Sequence, residues 1–293
     1  MPMSRPIILS LTPLPFERDS RAVKIAASIE RLGYKSLGAE NIQSVKSGTS
    51  WNFERYTLRP IRRASQNNSQ SFEQSKPHAF IGFLRDTFHF LRFLLAYLIV
   101  RPLYGRLTLP YADVIYLHEY RLFPLAWCLT WGRPTKIIYD AHDYYPLAIA
   151  DDNLSIFWRK IFQPFLGMLE TACIKRSNIV VTVNQGIVDL YTSSHGILAK
   201  ILRNSHDERL DNLSCEPLRS VLGLKDDEVL LVSVGHYKKG LAVHPLLDAL
   251  AELPNHVHVA FAGSGFAEVE EYAISLNLSE RAHFLGPIEG TDI

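Results

Sequence analysis

The residues best suited to chemistry are the run His236 to Gly240 (HYKKG), which follows directly on the apolar run LLVSVG and precedes the helix-period segment LAVHPLLDALAEL. Cations and open helix N–H groups therefore converge near one point. A helix N-terminus attracts anions, and phosphates in particular. A lysine ammonium on a bound diphosphate makes a charge-assisted hydrogen bond of roughly 1.5–3 kcal/mol. It would also stabilise a departing diphosphate as negative charge develops on it. Gly235, His236, Lys239 and Gly240 are the candidates for this site. A solvated basic turn has the same composition, and spacing alone leaves both readings open.

A second group lies at other strand ends. In open parallel sheets ligands bind beyond the carboxyl ends of the strands, which selects His118 and Glu119 after DVIYL, His142 and Asp143 within IIYDAHDYYP, and Asn184 after NIVVTV. His142 sits just past a buried strand between two acidic residues. A hydrogen bond to a polar ligand and a structural tie to its own loop fit that position equally. Other chemistries find less support. GSGFAE resembles a glycine-rich turn, but Glu268 occupies the third glycine position. His256 and His258 have a metal-compatible spacing without a third ligand, so no metal is expected. Neither a GxSxG motif nor a paired Cys/His motif is present, which leaves nucleophilic hydrolase chemistry unsupported.

The elements that must position these residues alternate between strand and helix patterns. Pro6 to Thr12 reads as a strand, and Asp19 to Leu32 as a helix capped at Asp19 or Ser20, with Val23, Ile25, Ala26, Ile29 and Leu32 as its apolar stripe. Strands are expected at Tyr34 to Glu40, around Tyr56, at Asp113 to Leu117, Lys136 to Tyr139, Asn178 to Val183 and Lys200 to Leu202. Helices are expected at Leu122 to Thr130, at Leu154 to Arg176 with a bend at Pro164, and after a cap at Asn184. The polar run Ala64 to Pro77 reads as an exposed loop. From Val229 onward, LLVSVG, VHVAFAG and HFLG alternate with two helical segments as a parallel βαβαβ unit. The expected organisation is an α/β domain over 1–206, a linker over 207–228 and a partial second α/β domain over 229–293.

With 31 basic and 30 acidic residues the chain carries a net charge of +1, so nothing global points to nucleic acid. The three cysteines, Cys128, Cys173 and Cys215, lie far apart and read as reduced thiols of a cytoplasmic protein. The apolar segment over 88–106 has arginines at both ends and is too short between them to span a bilayer, which takes about 20 apolar residues. It suits an interfacial helix that snorkels its charges, giving peripheral contact at the inner face of a membrane, and a buried packing helix looks the same.

Taken together, the segments ERDSRAVKIAASIERLGY, ADVIYLHEY, KIIYDAHDYYP, ETACIKRSNIVVTVNQGIVDLY, ILRNSHD and the run from SVGHYKKG to HFLGPI resemble a family-4 glycosyltransferase of the GT-B fold. The resemblance implies an α/β protein with two Rossmann-like parallel-sheet domains, the second incomplete at Ile293 because the family's paired-glutamate motif falls beyond it. It implies transfer of a sugar, with retention, from a nucleotide-diphosphate sugar to a saccharide or lipid-linked acceptor, without a further cofactor. Lys239 matches the family's phosphate-contacting lysine, and His142 the first-domain histidine near the transferred sugar. His118, Glu119, Asp143 and Asn184 are then candidate acceptor or sugar contacts. Two features depart from the family: His236 replaces an arginine, and TPLPFERDSR replaces a glycine-rich loop. A non-catalytic binding or assembly subunit on the same scaffold, and less so an epimerase of nucleotide sugars, are the alternatives.

Overall fold

The computed structural model describes residues 5–16, 19–40, 53–58, 79–145, 156–205, 217–238 and 241–287. The polar run 64–77, Cys215, Lys239 and Gly240 lie outside the described residues. The chain divides into two compact units, Met1–Asn204 and Ser205–Ile293.

In the first unit, strands β1 (Ile7–Leu11), β2 (Lys35–Glu40), β3 (Glu54–Thr57), β4 (Val114–Leu117), β5 (Lys136–Ala141), β6 (Ile179–Thr182) and β7 (Lys200–Ile201) form one sheet in the order β3-β2-β1-β4-β5-β6-β7. Every neighbouring pair is parallel. The order reverses between β1 and β4, where Leu9 lies in register with Leu37 on one side and Ile115 on the other. These central side chains are at most 1% exposed, as expected of a sheet covered on both faces.

Helix α1 (Ser20–Arg31) is capped by Asp19, whose carboxylate accepts from the Ala22 N–H at 3.0 Å. Ala22, Ala26 and Ile29 face the core. Leu32, expected in the same stripe, is 74% exposed because the helix has ended and the chain turns outward at Gly33. The apolar segment is a continuous helical run: α2 (Ala79–Leu94), a π-helical stretch (Leu95–Val100) and α3 (Arg101–Thr108). Arg101, expected to reach toward solvent, is instead 3% exposed with its guanidinium 4.0 Å from the centre of the Tyr97 ring. Cation–π stacking replaces hydration there, and burial lowers its pKa.

After β4 a 3₁₀ turn (Tyr120–Leu122) leads into α4 (Phe123–Thr130). The helix expected around Pro164 is already helical at residues 156–157, widens to a π-helical turn (Trp158–Phe162) and continues as α5 (Gln163–Arg176). Proline has no N–H for the preceding turn, and a widened turn accommodates that loss. Helix α6 (Gln185–His195) is capped by Asn184, whose side-chain oxygen accepts from the Ile187 N–H at 3.0 Å, as the sequence indicated.

The second unit opens with a short helix, α7 (Leu218–Val221), followed by β8 (Val229–Val234), α8 (Val243–Glu252), β9 (Val257–Ala262), α9 (Ala267–Ser275) and β10 (Ala282–Gly286). Its three strands are parallel in the order β10-β9-β8. Leu247, Phe261, Val269 and Ala273 form a small core at 1% exposure or less. The edge strand β8 keeps Val229, Leu231, Val232 and Val234 between 41% and 52% exposed.

Candidate functional site

Strand β5 runs further than its apolar residues suggest, and Asp140 pairs in register with Val181 inside the sheet. A carboxylate at 0% exposure requires compensation, and Arg21 in the first turn of α1 supplies it. Arg21 Nε donates to Asp140 Oδ2 at 2.9 Å and Nη2 to Oδ1 at 2.8 Å, a bidentate pair, while Nη2 also donates to the Leu202 carbonyl at 2.9 Å. The Tyr116 hydroxyl donates to the same carboxylate at 3.3 Å. This network ties the start of α1 to the carboxyl ends of β4, β5 and β7.

Above it lies a polar cleft of about 530 Å³ lined by Asp19, Ser20, Arg21, His142, Val183, Arg203 and Asn204. The cleft occupies the place where an open parallel sheet binds its ligand. His142 lines it, and the buried Nδ1 of this residue has no hydrogen-bond partner among the described residues. A buried polar atom without a partner calls for an explanation, and a ligand seated in the adjoining cleft is one. Asp19 is held in place by the Thr12 hydroxyl, which donates to it at 2.6 Å.

A second cavity of about 700 Å³ is lined by aromatic side chains, among them Phe90, Phe93, Tyr97, Tyr120, Tyr145 and Trp158, with Arg121 and Asp86. His142 and Tyr145 meet edge to face at 6.4 Å between ring centres, so the end of β5 forms one wall of each cavity. The polar cleft suits a charged or hydroxyl-rich group. The aromatic cavity can stack against an apolar ring face.

The other expected site residues are distributed as follows. His118 is 1% exposed, and neither ring nitrogen has a hydrogen-bond partner among the described residues; the nearest carboxylate oxygen, on Asp140, is 3.8 Å away. Glu119 is 5% exposed and is engaged by Arg121, whose Nη2 donates to it at 2.6 Å. Asp143 and Asn184 are exposed, and the Asn184 oxygen is occupied as the cap of α6. Sequence pattern does not single out Arg21, Asp140 or Arg203. The cluster ERDSR and the pair of aspartates around His142 are the signals that could have found the first two.

In the second unit the turns after β8 and β9 interlock. The Tyr237 N–H donates to the Ser264 carbonyl at 2.9 Å, and His236 Nδ1 lies 2.7 Å from Ser264 Oγ. Gly235 and His236 thus stand at the carboxyl end of the sheet, braced by the neighbouring turn. His258 pairs with His283 across the sheet at 3.2 Å, leaving His256 apart from it. No group of three His, Cys, Asp or Glu suited to a metal occurs among the described residues.

Burial lowers the His118 pKa to about 4, with Asp19 and Asp140 opposing the shift and His142 and Arg21 adding to it. The unfolded chain takes up this proton near pH 6.5, whereas the folded chain resists it down to about pH 4. Stability is therefore complete above pH 6.5 and falls through that window, by on the order of 3 kcal/mol. His118→Leu should flatten this acid slope. Urea unfolding followed by tryptophan fluorescence from pH 7 to pH 4 measures it, and an unchanged slope would assign the titration elsewhere.

No family model matches the sequence, and no curated protein matches it. Solved structures do. Sucrose-phosphate synthase from Thermosynechococcus elongatus superposes with a TM-score of 0.64 at 13% identity, covering 98% of this chain and 72% of that one. HepE from Anabaena, in complex with UDP-glucose, gives 0.59 at 17%, covering 96% and 69%. WaaG, a glycosyltransferase involved in lipopolysaccharide biosynthesis, gives 0.58 at 12%, covering 98% and 71%. A putative UDP-N-acetylglucosamine 2-epimerase from Listeria monocytogenes shares the fold at 0.53. At these identities the likeness is one of architecture: the chain has the α/β fold, with parallel sheets in two units, of GT-B glycosyltransferases.

Proposed function

We propose that this protein is a hexosyltransferase of family 4, moving a sugar with retention from a nucleoside-diphosphate donor to a saccharide or lipid-linked acceptor at the cytoplasmic face of a membrane, without a cofactor. The observation that carries the reading is His142. His142 lines a polar cleft at the strand ends, its buried Nδ1 has no partner among the described residues, and it stands three residues before Tyr145 of the aromatic cavity. In the reaction, the bond from the sugar's anomeric carbon to the diphosphate oxygen breaks, and the electron pair leaves with the diphosphate. A new bond forms to an acceptor hydroxyl, whose proton passes to the departing diphosphate oxygen. His142 would hydrogen-bond the sugar in transit, and the aromatic cavity would receive the acceptor. The turn from Gly235 to Gly240 would hold the diphosphate, with Lys239 stabilising it as it departs. The fold shared with a protein crystallised with UDP-glucose supports a nucleotide-sugar donor.

Calorimetric titration of the chain with uridine and guanosine diphosphates tests this reading. Saturable binding of at least one is expected, and Lys239→Ala should weaken it about 10- to 100-fold, the loss of one charge-assisted hydrogen bond. Unchanged affinity would remove Lys239 from the site, and no binding of either nucleotide would overturn the donor assignment. The fold shared with the putative epimerase gives that chemistry one observation in its favour. Conversion of a nucleotide sugar without any acceptor would select it.

A further inference from the structure

The helical run from α2 to α3 is apolar on two opposite sides. One side packs inward through Phe90, Phe93, Tyr97 and Gly105. The other carries Leu84, Phe88, Leu91, Leu95, Ile99 and Leu103 at successive spacings of three or four residues, each between 50% and 63% exposed. Single exposed leucines are ordinary on a protein surface, but six large apolar side chains in line make a continuous stripe. The stripe continues into a groove of about 620 Å³ where Leu98 and Leu103 meet Trp127 and Trp131 of the α4 region. Those tryptophans are 49% and 79% exposed.

The exposed charges on the helices that form this face are of one sign. Residues 79–108, 123–135 and 156–176, which make up the helical run, α4 with its following turn, and α5 with its leading turn, contain nine lysines and arginines, of which Arg101 is buried. They contain two carboxylates, Asp86 and Glu170, which are 6% and 2% exposed. Arg176 lies 4.4 Å from the centre of the Trp127 ring, and Arg106 donates to the carbonyls of Cys128, Leu129 and Trp131 at the end of α4. The whole chain has a net charge of only +1, so these helices are strongly basic relative to the rest of it.

We infer that this face of the first unit docks on an anionic lipid bilayer, with the leucine and phenylalanine stripe entering the headgroup boundary and the tryptophans at its level. The inference deepens the membrane placement in the proposed function and rests on this surface, so loss of vesicle binding and loss of nucleotide binding are separate outcomes. Apolar insertion flanked by cations is the arrangement that binds anionic membranes without spanning them. None of the described helices is long and apolar enough to cross a membrane. A second copy of the chain is a poorer occupant, because a two-fold contact would set each basic cluster against its own image.

The test is co-sedimentation of the full chain with vesicles of phosphatidylcholine alone and of phosphatidylcholine with phosphatidylglycerol. Binding to the anionic vesicles should exceed binding to the neutral ones at least about tenfold and weaken as salt is raised. The triple variant Phe88→Ser, Leu91→Ser, Leu95→Ser replaces only exposed side chains, so its circular dichroism should match the parent. Its vesicle binding should fall at least about tenfold. Absence of binding to anionic vesicles, or equal binding by a folded triple variant, would overturn the inference. So would a dimer in sedimentation equilibrium that the triple variant converts to monomer, since the face would then belong to a second copy.

Discussion

Arg21→Ala should destabilise the first unit by about 3–5 kcal/mol, the cost of stranding a buried charge. Asp140 is 0% exposed and lies within β5, where water cannot replace the guanidinium. Without Arg21 the carboxylate keeps, among the contacts described for it, the 3.3 Å hydrogen bond from Tyr116 and the His118 ring nitrogen at 3.8 Å, which is neutral near pH 7. Arg21 also holds the Leu202 carbonyl, so its loss frees the segment after β7 that carries Arg203 and Asn204 into the polar cleft. Arg21→Lys should recover little, because an ammonium cannot reproduce the two parallel hydrogen bonds. Replacing both partners by apolar residues, Arg21→Met with Asp140→Leu, should recover much of the loss, since the stranded charge is then gone. All four tryptophans, Trp51, Trp127, Trp131 and Trp158, belong to the first unit, so urea unfolding followed by their fluorescence reports on that unit. A loss of under about 1 kcal/mol for Arg21→Ala would show that water or another cation reaches Asp140.

That ion pair also marks where the sequence stops being legible. The order of strands and helices follows from local pattern: β-branched runs ended by polar residues, helical spacing in α1, and an asparagine in place to cap α6. Each of those signals lies within a few residues of what it specifies. Asp140 and Arg21 are 119 positions apart, and a charged residue after KIIY reads as the end of a strand unless its distant partner is known. The same reason hid Arg101, whose burial depends on stacking over Tyr97 within a π-helical turn that pattern does not announce. In the helical run from α2 to α3 the sequence shows that apolar residues surround the axis. Only packing decides that Phe90 and Phe93 turn inward while Phe88 and Leu91 are left outside. Among the candidate residues, the position of His142 beside a cleft was legible because a strand end places it, whereas the sequestering of Glu119 by Arg121 is a matter of rotamer and reach.

The remaining large effect falls in the second unit, where Gly263→Ala should cost about 4 kcal/mol, combining a disfavoured backbone with a steric clash. Gly263 has φ of 146°, a conformation that residues with a Cβ rarely adopt. A Cβ on this residue would lie 1.9 Å from the Gly235 carbonyl oxygen and 2.6 Å from its carbon. Neither atom belongs to a side chain that could rotate away, so the backbone of the turn after β8 must move. That turn is fixed by the Gly235 N–H to the Ala262 carbonyl at 2.8 Å and the Tyr237 N–H to the Ser264 carbonyl at 2.9 Å. Displacing it should also break the 2.7 Å contact between His236 and Ser264. Gly223 provides the control. Its φ is 66° and no described atom comes within 4 Å of where its Cβ would stand, so Gly223→Ala meets only the conformational cost of about 1–2 kcal/mol. Hydrogen exchange at the amides of β8 and β9 measures both variants in the unit concerned. A greater loss of protection for Gly263→Ala assigns the difference to the close approach of the two turns. Equal losses would mean that the turns can separate at little cost, and that His236 is not held rigidly enough to preorganise the proposed diphosphate site.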